Sequence, residues 1–88
     1  MRLTMATSKQ LTVTTTPQLV HASTEGQVSL WVHTSATMYF GGDNSVSSTN
    51  GFRLDANDKY QTVIPEGNEV WVVAASGSQK LYTFTVDL

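Results

Sequence analysis

The chain has 88 residues, of which 40% are hydrophobic and 14% are charged, and its net charge is −2. A domain usually holds about 100–150 residues, so this length allows one domain and excludes an enzyme built from two lobes. The few charges, without a cluster of Lys or Arg, exclude the basic surface of a nucleic-acid-binding protein. No segment reaches the ~20 apolar residues of a membrane helix.

The composition favours β-strands. The chain contains 13 Thr, 9 Ser and 10 Val, and β-branched residues are enriched in strands. Cysteine is absent, which excludes a disulfide framework and a thiolate nucleophile or metal ligand. The N-terminus lacks an apolar run of signal-peptide length, so we expect no export by the ordinary signal route.

The predicted elements begin after an N-terminal arm. Residues 1–9 have no apolar alternation, so we expect a flexible arm whose removal leaves the β domain, residues 10–88, folded. From Gln10 onward, apolar residues recur with a period of two. The predicted strands are Gln10–Thr16, Gln18–Ala22, Gln27–Thr34, Thr37–Gly41, Gly51–Leu54, Lys59–Ile64, Glu69–Ala75 and Lys80–Val86.

Gly, Pro, Asn and Asp fall between these strands, where turns need them. Seven or eight short antiparallel strands predict a small all-β sandwich, jelly-roll-like, with a small barrel as a variant. The run Glu69–Ala75 is apolar throughout, which predicts a strand buried on both faces or covered by a neighbouring subunit. A core this small, without disulfides or an evident metal site, predicts self-association.

No pattern indicates catalysis, so we expect no enzyme and no cofactor. His21 and His33 have no catalytic partner in the sequence and are interpreted as ordinary strand residues. Asp55, Asn57 and Glu66 have the spacing of three calcium-loop ligands. However, Lys59 and Tyr60 occupy positions that need an oxygen ligand and a glycine, so the segment is interpreted as an Asp/Asn turn and no metal is expected.

The two tryptophans are the candidate contact residues. Trp31 opposes the apolar face formed by Val28, Leu30 and Val32, so we expect it to point outward, at an oligomer interface first and at a glycan second. Trp71 lies within an apolar run, and we expect it to be buried. Further candidate contact residues lie on and just after the arm: Ala6, Thr7, Leu11 and Val13.

The second half of the chain resembles a known family. Met38 to Gly42, Val46 to Leu54, Val70 to Gly77 and Leu81 to Val86 are similar to a small β domain of tailed-bacteriophage virion proteins. In that pattern a strand ends in Leu-Gly-Gly or Leu-Gly-Asn, and a later strand reads Leu-Tyr-Ala-Val-Ala-Ser-Gly. Here Phe40 replaces the Leu, and Trp71 to Ala75 replace Leu-Tyr-Ala-Val-Ala. Gly41, Gly42 and Gly51 match its glycines and are interpreted as turn residues. The resemblance covers residues 37–86 and leaves residues 1–36 outside.

The resemblance implies a non-enzymatic virion protein made in the host cytoplasm. Such domains occur as head decoration (cement) proteins, head fibres and tail accessory modules. A chain of this size favours a decoration protein, a homotrimer that binds and stabilises the major capsid lattice. The alternative is a head-fibre or tail module that binds a carbohydrate or receptor. Neither nucleic acid nor a membrane is expected as a partner.

Overall fold

The computed structural model describes residues 5–88, and within them it is an all-β sandwich. It has eight strands: β1 Ala6–Val13, β2 Gln18–Ala22, β3 Val28–Thr34, β4 Met38–Gly41, β5 Phe52–Leu54, β6 Lys59–Ile64, β7 Glu69–Ala74 and β8 Gln79–Asp87. The described residues contain no helix that could cross a membrane. The predicted fold class is confirmed.

Two antiparallel four-stranded sheets form the sandwich. Sheet A has the strand order β1-β8-β3-β6, and sheet B has the order β2-β7-β4-β5. Consecutive strands alternate between the sheets except for β4 and β5, which are neighbours in sheet B. This is the arrangement of a jelly roll, in which eight strands form two packed sheets.

The core follows from the alternation of side chains along each strand. In β3, Val28, Leu30 and Val32 are buried while Trp31 between them is 41% exposed, because successive side chains point to opposite faces of a sheet. The residues that share the space between the sheets are Val13, Val20, Leu30, Val32, Met38, Phe40, Leu54, Ile64, Val72, Ala74 and Leu81. None of the buried side-chain N or O atoms of the described residues lacks a hydrogen-bond partner.

Most predicted strands lie within one residue of the observed ones, but β1 does not. It begins at Ala6 instead of Gln10 and ends at Val13. Its residues pair with β8 without interruption, from Ala6 opposite Val86 to Val13 opposite Gln79. The expectation of a flexible arm was therefore wrong for residues 6–9, and the rest of that arm, residues 1–4, lies outside the described residues.

The chain ends are joined by this pairing. Beyond β1, the backbone N–H of Asp87 donates to the carbonyl of Met5 at 2.9 Å, and the N–H of Leu88 donates to the carbonyl of Gln27 at 2.9 Å. The two terminal strands thus form adjacent strands of sheet A. Residues 5–9 belong to the folded domain, where the sequence predicted a free segment.

A long loop, residues 42–50, packs on part of the outer face of sheet B, beside Tyr39 and Val73. Its Val46 is 5% exposed, and Val73 of β7, which faces away from the core, is 7% exposed. Val46, Ser47, Val73 and Tyr39 line one surface depression. The sequence predicted that β7 is buried on both faces or covered by a neighbouring subunit. At Val73, the chain's own loop buries the outward face.

Hydrogen bonds within this loop fix its shape. The Asp43 carboxylate accepts from the Ser45 backbone N–H at 2.9 Å and from the Ser45 hydroxyl, and these bonds lower the pKa of Asp43. The Asn50 side-chain oxygen accepts from the Ser47 N–H at 2.8 Å. The Gly51 N–H donates to the Ser47 carbonyl at 2.9 Å.

Gly41 and Gly51 serve close packing. Neither has a positive φ, which occurs at Gly26, Gly67 and Gly77. A Cβ at Gly41 would lie 2.9 Å from the Val46 Cβ, and a Cβ at Gly51 would lie 2.6 Å from the Tyr39 Cβ. Both glycines lie at the ends of the loop, in keeping with their interpretation as turn residues, but what requires glycine there is close contact with the loop and not a positive φ.

Deletion of residues 1–9 is expected to destabilise the sandwich. Deleting residues 1–4 provides the matched control, so the difference between the two variants reports residues 5–9. Several backbone hydrogen bonds to β8 are lost, each worth about 1 kcal/mol, so we expect the difference in unfolding free energy to be about 2 kcal/mol. Urea denaturation followed by circular dichroism measures it. Equal stability of the two variants would mean that residues 5–9 do not pair with β8 in solution.

Gly51→Ala is expected to destabilise the protein by about 1–3 kcal/mol, because the new methyl overlaps Tyr39 and the Ser47 carbonyl. Gly42→Ala is the matched control, since a Cβ there has no neighbour within 4 Å. We expect its unfolding free energy to stay within about 0.5 kcal/mol of the original. Urea denaturation of both variants tests the packing of the loop, and equal effects would contradict it.

Candidate functional site

The outer face of sheet A carries a cluster of four rings, of which three are exposed and the fourth, His33, is half-buried. The register places Trp31 of β3 opposite Phe84 of β8, and His33 opposite Tyr82. The Trp31 and Phe84 ring centroids are 5.8 Å apart, and those of His33 and Tyr82 are also 5.8 Å apart. Both distances fall in the range of attractive tilted ring pairs. We call these four residues the aromatic face.

The rings are held by the strands and remain open to solvent. Trp31, Tyr82 and Phe84 are 41%, 40% and 43% exposed, and no loop of the described residues covers them as residues 42–50 cover part of sheet B. A shallow groove of about 240 Å³ runs along the rings. Exposed apolar surface of this kind is typical of a binding surface.

Charge is distributed unevenly around the aromatic face. The neighbouring outward positions of sheet A include Lys59, opposite His33, and Lys80, opposite Thr12. They include no Asp or Glu, although the chain has seven acidic residues. The aromatic face is therefore apolar with a basic rim, which complements an apolar surface that carries acidic groups.

A second feature is a polar cleft between the two sheets, on the side of their edge strands β1 and β2. It encloses about 200 Å³ between β1 and β8 of sheet A and β2 of sheet B. The lining residues are Met5, Thr7, Lys9, Val20, His21, Thr83, Thr85 and Asp87. These residues are distant in the sequence and meet because β1 pairs with β8, so nothing in the sequence pattern indicated the cleft.

His21 is the titratable group of interest in this cleft. Its partial burial, followed by the nearby positive charge of Lys9, lowers its pKa from the ordinary value of 6.5, and Asp87 acts in the opposite direction. Burial disfavours the charged imidazolium, and a like charge adds to that effect. Besides His21, the cleft is lined by threonines, one lysine and one aspartate, so it is a polar pocket.

The candidate contact residues from the sequence do not form one surface. Ala6 is exposed on the outer face of sheet A, Thr7 lines the polar cleft, and Leu11 packs against the core. Val13 is fully buried in the core, which excludes it as a contact residue. Trp31 points outward as predicted, and the sequence did not identify its neighbours Tyr82 and Phe84.

Trp71 differs from the prediction of a buried side chain. It is half-buried on the outward side of β7, opposite Leu19 of β2. Its indole N–H donates to the Glu69 carboxylate at 2.9 Å. The alternation along β7 explains this position, because Val72 points into the core and its neighbour Trp71 must therefore point away.

The calcium-like segment forms a turn. Asn57 has a φ of 64°, and the Asp58 carboxylate accepts from the Asp55 N–H at 2.7 Å. Asp55 in turn forms an ion pair with Arg53 at 2.7 Å. Within residues 5–88, no three His, Asp or Glu side chains are grouped so that they could hold a metal ion.

Comparison of the folds finds similarity to a solved structure from Bacillus endospore appendages, described as a novel family of disulfide-linked pili. The TM-score is 0.61 at 7% sequence identity, and the match covers 96% of this chain and 84% of the other. This similarity establishes the sandwich fold. No protein-family model and no curated protein sequence matches the chain.

Stability is expected to fall in mildly acidic solution because of His21. Its folded pKa lies below 6.5, so the unfolded chain takes up a proton that the folded protein resists. The full free energy of unfolding is therefore present above about pH 6.5, and it decreases as the pH falls toward the folded pKa.

His21→Gln tests this expectation, because the amide is polar but does not titrate in this range. The measurement is the unfolding free energy at about pH 7.5 and about pH 5.5. We expect a smaller decline in the variant than in the original protein. An equal decline in both would assign the pH dependence to other groups.

Proposed function

We propose that this chain is a non-enzymatic structural protein of a virion. It self-associates, with a trimer favoured, and binds the major capsid lattice through the aromatic face. The observation that carries this proposal is the aromatic face itself, with three rings about 40% exposed on a rigid sheet. The virion setting rests on the resemblance of residues 37–86 to the bacteriophage domain described above.

The aromatic face suits attachment to a protein surface. Aromatic residues are enriched at the centres of protein interfaces, where they provide large contact areas at a low entropic cost. Lys59 and Lys80 at the rim favour a partner surface with acidic groups. Many identical weak contacts become strong when an oligomer engages several capsid subunits at once. A decoration protein therefore needs no deep pocket.

The alternative proposal is a module that binds a carbohydrate or receptor. The same rings could stack against the apolar faces of sugar rings, and Gln61, opposite Trp31, adds a polar group beside them. We rank this alternative second because large exposed aromatic patches mark protein contacts more often than glycan contacts. The two proposals share a surface and differ in its ligand.

The structurally similar pilus protein suggests a third arrangement, in which copies of this chain form a fibre. That protein is described as disulfide-linked, whereas this chain has no cysteine. A fibre of this protein would therefore have to be held together without disulfide bonds. Self-association is the property that this arrangement shares with the decoration proposal.

Phe84→Ser is expected to weaken attachment to capsids at least tenfold, because loss of an aromatic anchor at the centre of an interface costs about 2 kcal/mol or more. Leu19→Ser is the matched control. Leu19 is 40% exposed and lies on β2 of sheet B, opposite Trp71, so it is outside the aromatic face. The measurement is co-sedimentation with capsids assembled without this protein, after thermal melting has verified that both variants fold.

Equal capsid binding by the two variants would contradict attachment through the aromatic face. Absence of capsid binding by the original protein, together with retention on a glycan array that Phe84→Ser abolishes, would favour the carbohydrate-binding alternative. Binding of neither ligand would contradict both proposals.

A further inference from the structure

The two sheets differ in how their edges are protected. In sheet B, the edge strand β5 has three residues, and the edge strand β2 has a bulge between Leu19 and His21 and follows Pro17. Short strands, bulges and prolines are devices that prevent a sheet edge from pairing with another chain. Both edges of sheet B therefore carry protection.

The edges of sheet A lack short strands, bulges and prolines, and their charged protection is limited to one lysine on each edge strand, Lys9 in β1 and Lys59 in β6. The edge strands are β1 with eight residues and β6 with six, and neither contains proline. The pairing of β1 with β8 and of β6 with β3 is free of register shifts. Each edge strand thus presents a regular row of backbone N–H and C=O groups on its open side, which is a template for a further strand.

The directions of the two edges determine what can pair with them. Sheet A has four strands that are antiparallel throughout, so β1 and β6 run in opposite directions. A second copy placed beside the first in the same orientation brings its β1 next to β6 and continues the antiparallel pattern. Such a head-to-tail contact uses different surfaces of the two copies and closes into a ring or extends as a filament.

The side chains of the two strands are compatible with this contact. Lys9 of β1 shares the inward side with Leu11, whereas Lys59 of β6 is on the outward side opposite His33. When the strands pair, the two lysines point to opposite faces of the joined sheet. The like charges therefore do not meet, and the remaining exposed side chains of both edges are neutral.

The outer face of sheet A is too small to hold an oligomer together alone. Four strands at ~4.8 Å spacing and seven residues at ~3.3 Å give this whole face, of which the aromatic face is a part, about 440 Å², whereas a stable interface needs about 800 Å² from each partner. Self-association therefore needs a further contact. Edge pairing adds contact area and leaves the aromatic face free for another partner.

We propose that copies of this protein assemble head to tail by pairing β1 of one copy with β6 of the next, so that sheet A is continuous across the oligomer. This inference deepens the self-association in the proposed function and rests on it. It does not depend on capsid binding. A ring of three copies corresponds to the favoured trimer, and an open series corresponds to a fibre.

The experiment is disulfide cross-linking, for which the cysteine-free chain is suited because introduced cysteines are the only thiols. Ser8→Cys in β1 is combined in turn with Lys59→Cys, Gln61→Cys and Val63→Cys in β6. All four positions are exposed on the outward side. Within one copy β1 and β6 are three strand spacings apart, about 14 Å, which exceeds the ~7 Å that a disulfide allows.

We expect at least one double variant to form a ladder of cross-linked oligomers after mild oxidation, while Ser8→Cys alone stays monomeric on non-reducing gels. The matched control is Leu19→Cys with Arg53→Cys, which places exposed cysteines on the two protected edges of sheet B and should give no ladder. Circular dichroism verifies that each variant folds.

Light scattering of the unmodified protein separates the possible failures. If light scattering shows an oligomer but none of the double variants gives cross-linked bands, the pairing of β1 with β6 is overturned and self-association stands. A stable monomer at micromolar concentration would overturn both. Cross-linked dimers from Ser8→Cys alone would show β1 pairing with β1, which contradicts the head-to-tail arrangement.

Discussion

The two ladders of β8, one with β1 and one with β3, are the interactions on which the rest of the structure depends. The ladder with β1 joins the two terminal strands over eight residue pairs. The ladder with β3 holds Tyr82 and Phe84 next to His33 and Trp31. The polar cleft and the long β1 edge of sheet A follow from the first ladder, and the aromatic face follows from the second.

The molecule therefore has two unlike sides. Sheet B is partly covered, because residues 42–50 pack beside Tyr39 and Val73 and its edge strands are short or bulged. Sheet A is more open, because three of its outward rings are exposed and its edges are long and regular. This asymmetry favours sheet A over sheet B as the side on which a partner would dock.

Much of the fold could be predicted from the sequence, because β2 to β8 combine alternating apolar residues with turn residues at their ends. The start of β1 could not. Thr7 and Lys9 point toward the polar cleft and the alternate residues point to solvent, so this half of the strand has no apolar alternation. The orientation of Trp31 was predictable from its buried neighbours. The positions of Phe84 and Tyr82 beside it depend on pairing between distant strands, and the packing role of Gly51 depends on where a loop folds.

Hydrogen exchange by mass spectrometry tests most directly whether sheet A is the side that assembles. It is measured at protein concentrations on either side of the midpoint of self-association, because edge amides exchange slowly only when a partner strand accepts their hydrogen bonds. The account predicts that exchange slows in β1 and β6 as the oligomer forms, while β2 and β5 stay unchanged. Slowing confined to β2 and β5, or oligomer formation without any slowing in β1 and β6, would contradict it.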